Sequence, residues 1–64
     1  MDLYKNIQHL CIDKGMTIRQ LEMKAGIGNG AIGKWRFASP KLSTLQRVAD
    51  ALNVPLIAVI YGNR

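Results

Sequence analysis

The stretch from Thr17 to Trp35, TIRQLEMKAGIGNGAIGKW, constrains what this chain can fold into more than any other. Thr17 can cap a helix through its hydroxyl. Gln20, three positions on, completes a capping box in which each side chain satisfies a backbone N–H of the other residue. Met16 before the cap and Leu21 at the fourth helical position are spaced as a hydrophobic staple. Leu21 and Ala25, at i and i+4, share one face of that helix. Gly26 supplies the left-handed residue that ends it. A second helix can start at Gly28 or Asn29, since both residue types are tolerated as N-caps. Ile32 and Trp35, three apart, give it an apolar face. The expectation is two short helices joined by one glycine-centred turn.

That arrangement is the helix-turn-helix pattern. With Ile32 and Trp35 inward, the second of these helices turns Asn29, Gly30, Gly33 and Lys34 outward. This face holds one amide, one ammonium and no carboxylate. Asn matches the edge of adenine bidentately, and Lys reaches guanine acceptors or phosphate. The same face also reads as the solvated side of a small helical domain, and spacing and charge do not separate the two. Gly30 and Gly33 are expected inside this helix, where each costs about 1 kcal/mol relative to Ala. Either a close approach to another backbone, such as DNA, or simple tolerance by the packing accounts for them.

Sixty-four residues make one domain at most, so residues 1–64 are expected to form a single helix-turn-helix unit. A chain of this size buries only about 60% of its unfolded surface, which argues against a deep active-site pocket. An apolar content of 48% is enough for a core and too high for a disordered tail. The longest apolar run, Val54 to Tyr61, contains Pro55 and is far too short to span a membrane. Asp2, Lys5, His9 and Asp13 interrupt any signal-peptide layout, so a cytoplasmic protein is expected, nucleoid-associated on the DNA reading. Nine Lys and Arg against four Asp and Glu give a net charge of +5. The isoelectric point of about 9.9 suits a nucleic-acid-binding domain. An acidic protein or an anionic membrane would also attract such a charge.

The first helix is expected from about Asp2 to Lys14. Leu3, Ile7, Leu10 and Cys11 recur at the helical period, and Gly15 stops the helix. Cys11 falls on the apolar stripe and reads as a small buried hydrophobe. His9 falls off the stripe; with no second His and no Cys pair, no metal site is expected. Phe37 to Lys41 is a loop, marked by Ser39-Pro40. The fourth helix runs from Lys41 or Leu42 to Leu52, with Leu42, Leu45, Val48, Ala49 and Leu52 as its stripe. Asn53 ends it in the left-handed conformation. Pro55 allows a fifth helix over Leu56 to Tyr61. That helix is apolar nearly all round, so one face packs inward. The other, carrying Ile57 and Tyr61, is expected to associate with a second copy; the plain alternative is a fully buried short helix.

Nothing supports catalysis. There is no Ser/His/Asp set in a plausible order, no carboxylate pair and no P-loop. Gly26-x-Gly28-x-Gly30 follows no strand, which a nucleotide fingerprint requires. No cofactor and no small-molecule ligand are expected.

The whole chain resembles the lambda-repressor-like (Cro/XRE-type) helix-turn-helix family of phage and bacterial repressors. The matching features are Gly15-Met16-Thr17, Leu21, Gly26-Ile27, Ile32 and Trp35. Ser39-Pro40, Leu42, Leu45, Val48-Ala49, Leu52-Asn53-Val54 and Leu56 follow in order. Tyr4-Lys5-Asn6-Ile7 and Gly28-Asn29-Gly30 resemble a variant found in repressors of Gram-positive phages and mobile elements. The resemblance implies an all-α, compact five-helix domain with the helix-turn-helix at helices two and three. It implies sequence-specific binding of double-stranded DNA at a pseudo-palindromic operator, as a weak or DNA-assisted homodimer. Asn29, Gly30, Gly33 and Lys34 would then be the base-contact positions. Thr17, Ile18, Arg19, Gly28, Arg36, Lys41, Leu42 and Ser43 would meet the DNA backbone. A complete chain of this length would be a Cro-like regulator, and a fragment the N-terminal half of a larger repressor. An antitoxin or antirepressor would use the same fold to bind a protein. Two residues depart from the family pattern. Arg36 stands where many members carry Glu. Glu22 stands where a small Ala is usual, so its carboxylate is expected to reach solvent or to pair with Lys14 or Arg19.

Overall fold

A computed structural model describes residues 3–62 of the chain, which form five helices and no strand. The helices are α1 (Leu3–Lys14), α2 (Ile18–Ala25), α3 (Ala31–Lys34), α4 (Leu42–Leu52) and α5 (Leu56–Tyr61). Asp2, the expected first residue of α1, lies outside the described residues.

The apolar stripe of α1 enters the core through Ile7, Leu10 and Cys11, with Leu3 half-buried at its start. Gly15 ends α1 with φ +68°, a conformation open to a residue without Cβ. The turn closes when the Met16 N–H donates to the Cys11 carbonyl at 2.9 Å. The capping box of α2 is present: the Gln20 N–H donates to Thr17 Oγ1 at 3.0 Å, and the Thr17 N–H to Gln20 Oε1 at 2.8 Å. Met16 packs against the same core cluster as Leu21. Gly26 takes φ +73°, and the Ile27 N–H then reaches back to the Glu22 carbonyl at 3.0 Å.

α4 buries Val48, Ala49, Ala51 and Leu52. Leu42, expected on the same stripe, is 64% exposed instead. It is the first residue of the helix, one turn beyond half-buried Leu45, and there the stripe runs past the edge of the core. Asn53 ends α4 in the left-handed region at φ 57°. α1 packs on α5, and α2 on α4. Asn6 ties α1 to α5 across the chain: its Nδ2 donates to the carbonyls of Val59 at 3.3 Å and Ile60 at 2.9 Å. Val59 is fully buried and Ala58 nearly so, while Ile57 and Tyr61 face solvent. Cys11 is a buried free thiol, and burial raises its pKa, which holds it in the unreactive protonated form.

Candidate nucleic-acid interface

The turn between α2 and α3 is where structure and sequence expectation part most clearly. α3 is a single turn of four residues. Gly28 and Asn29 precede it, and Gly30 is its N-cap rather than an interior residue. Gly30 has φ +82°, which explains the glycine without reference to a ligand: a side chain there would be strained. Gly33 is different. It lies within α3 at ordinary helical φ, and a Cβ added to it would meet nothing within 4 Å.

Glu22 overturns its expectation. Its side chain neither reaches solvent nor pairs with Lys14 or Arg19. It is 2% exposed, and both carboxylate oxygens serve the start of α3. The Gly30 N–H donates to Oε1 at 3.1 Å, and the Ile32 N–H donates to Oε2 at 3.1 Å. The reason is electrostatic as well as geometric. The first N–H groups of a helix have no acceptor within it, and they carry the positive end of the peptide dipoles. Gly30 has no side chain to cap them, so a carboxylate from the neighbouring helix does so. A carboxylate paired only with water would not stay buried; two charge-assisted bonds offset its lost hydration.

The expected base-contact residues are thereby gathered into one short segment. Asn29 is exposed in the turn, Gly30 caps, Gly33 is half-exposed, and Lys34 ends α3 with its side chain in solvent. Ile32 between them is fully buried and Trp35 half-buried, so the apolar face points inward. Among the expected backbone-contact residues, Thr17 is committed to its cap and Ile18 is half-buried against the core. Arg19 is exposed in the first turn of α2. Gly28 is exposed, and its carbonyl accepts from the Ala31 N–H at 3.1 Å. Lys41 is the N-cap of α4, and Leu42 and Ser43 follow it on the surface.

Arg36 is held in a way the sequence did not announce. Its Nε donates to the Gly33 carbonyl at 3.1 Å. Its guanidinium lies 5.1 Å from the centroid of the Tyr4 ring and 5.4 Å from that of Phe37, within cation–π range of both. The same arginine lines a groove of about 570 Å³ with Leu3, Trp35, Ser39, Pro40, Leu45 and Ile60. Arg36 therefore stands at the junction of α1, the α3–α4 loop and α5.

Charge around the motif is one-sided. Between Thr17 and Ser43 the chain carries Arg19, Lys24, Lys34, Arg36 and Lys41, all exposed, and its one acid is the buried Glu22. The contacts that sequence reasoning missed are those of Glu22, Asn6 and Arg36. A signal for the first was present: an acid on a helix beside the core residue Leu21, followed by a glycine-rich helix start with no capping Ser, Thr or Asp.

The chain matches the helix-turn-helix family model over residues 7–59. No curated protein and no solved structure matches it. The matched span runs from the middle of α1 into α5 and contains the whole of the motif. On that match, the chain belongs to the Cro/C1-type helix-turn-helix family of DNA-binding regulators.

Proposed function

We propose that this protein binds duplex DNA in a sequence-specific manner as a homodimer, with α3 in the major groove, and regulates transcription by occupying an operator. The observation that carries this reading is the one-sided charge of the motif: five exposed cations and no exposed carboxylate between Thr17 and Ser43. A polyanion is favoured by such an excess of cations without sequence preference, and sequence is then read by side chains at base edges. Asn29 and Lys34 are the two side chains of the outward face able to do so. Gly30 and Gly33 offer no side chain and would let the groove approach. The first N–H groups of α2 and α4, at Ile18, Arg19, Leu42 and Ser43, are available to phosphates by helix geometry. Arg19, Arg36 and Lys41 would add charge to that contact. A protein acting in this way would be cytoplasmic and nucleoid-associated.

Size supports the dimer. The described residues extend at most 27 Å. Successive major-groove faces on one side of B-DNA are about 34 Å apart, so a single copy reads one half-site. Ile57 and Tyr61, 63% and 69% exposed on α5, offer an apolar surface for a second copy. Selection of binding sites from random duplex DNA, followed by footprinting, tests the reading. It should return a two-fold symmetric site with half-site centres about one helical turn apart. The double variant Ile57→Asp, Tyr61→Asp should stay helical by circular dichroism but lose cooperative occupancy of that site. Enrichment of no sequence would show non-specific binding instead, and a salt-insensitive affinity would point to a protein partner.

A further inference from the structure

We propose that Glu22 is a positioning residue for DNA recognition: by gripping the start of α3 with both carboxylate oxygens, it sets where Asn29 and Lys34 stand relative to the DNA. The inference rests on the DNA-binding reading and adds a residue that never touches DNA.

α3 does not determine its own pose. Four residues make one turn, and a first turn fixes many dihedrals for little hydrogen bonding. Gly33 lies inside it, and its N-cap has no side chain. Two anchors remain. One is the Ile32 side chain, fully buried in the core. The other is the Glu22 carboxylate, which takes the N–H of Gly30 and the N–H of Ile32 on separate oxygens, each at 3.1 Å. One hydrogen bond leaves a turn free to pivot, and two from one rigid group remove that freedom. Glu22 in turn sits on α2, whose ends are fixed by the capping box and by Gly26. The orientation of α3 is thus tied to the helix that carries Arg19.

The reading residues flank the gripped amides in sequence. Asn29 immediately precedes Gly30, and Lys34 follows Ile32 by two. A tilt of α3 would carry both side chains off base edges while the cations around them stayed in place. Base readout is short-range and directional, whereas phosphate attraction is long-range and tolerant of small shifts. Loss of the grip should therefore lower affinity for the preferred site more than affinity for DNA in general. Loss of the carboxylate also lowers stability, because the N–H groups of Gly30 and Ile32 lose their acceptors, but a loss of stability alone weakens binding to every duplex equally.

The test uses the full chain and two variants. Glu22→Gln has the same shape but one oxygen able to accept, and Glu22→Met has none. Each is titrated, at one fixed salt concentration, with a duplex selected by the wild type and with a shuffled duplex of equal length. Amide NMR of Gly30 and Ile32 reports the grip directly. Both variants should remain helical and lose the low-field shifts of one or both amides. Affinity for the selected duplex should fall about tenfold or more, the scale of one misplaced base contact, while that for the shuffled duplex stays within about twofold. Equal losses on both duplexes, or none on either, would overturn the proposal. So would unfolding of both variants, which would make Glu22 a stability element. A wild type that prefers no duplex would overturn the DNA reading itself, a failure separate from any result on Glu22.

Discussion

α2 carries its own instructions at both ends, and α3 carries almost none. Thr17 and Gln20 close the first turn of α2 on each other, and Gly26 and Ile27 close its last. All four lie within or beside the helix they shape. α3 starts on a glycine with φ +82°, lasts four residues, and takes its cap from a carboxylate eight and ten positions upstream. The proposed function gives the two neighbours different tasks. α2 buries Leu21 and Glu22 and serves as a platform. If α3 reads DNA as proposed, it must leave one side open to a large partner, which leaves little of its own surface to hold it in place.

Glu22→Ala should break the comparison at its weakest point. It leaves the N–H groups of Gly30 and Ile32 without an acceptor and creates a small void. Denaturant unfolding should show a loss of about 2–4 kcal/mol, which is large for a domain of this size. Gly30→Ala comes next. The left-handed conformation penalises a Cβ, and a loss of about 1–2 kcal/mol is expected in the same measurement. Thr17→Ala removes one half of the capping box and should cost about 1 kcal/mol. The smallest change runs the other way. Gly33 has helical φ and open space around its Cβ position, so Gly33→Ala should raise stability by up to about 1 kcal/mol. If DNA approaches α3 as closely as proposed, the same variant binds duplex more weakly while being the more stable protein. A Gly33→Ala protein that gains stability and binds unchanged would show that the groove does not come near this residue.

The features legible in the sequence are those in which cause and effect are local. The capping box, Gly15 and Gly26 as helix ends, Asn53 in the left-handed region and the inward stripe of α1 all follow from residues within one or two turns of each other. Cys11 as a buried thiol follows from its place on that stripe. What escaped depends on how helices meet. Glu22 looks like a surface acid until α3 lies against it. Leu42 keeps the period of its helix but overruns the core that the period addresses. Asn6 spans the whole chain to reach the end of α5. Arg36, read as a plain cation, lies over the ring of Tyr4, thirty-two residues upstream, a contact no spacing rule would predict. The outward residues of the motif were legible as a set, because Ile32 and Trp35 name the opposite face.

The central claim is that Asn29 and Lys34 read base edges while the surrounding cations hold the phosphates. A fluorescence anisotropy titration of the wild type and Lys34→Ala, against selected and shuffled duplexes across a range of salt, tests it most directly. Wild-type affinity for both duplexes should fall steeply with salt, with a slope of about −0.9 for each phosphate neutralised. Lys34→Ala should lose about 1–3 kcal/mol on the selected duplex and much less on the shuffled one. Equal losses on the two duplexes would make Lys34 a phosphate contact, and no loss on either would contradict the recognition face altogether.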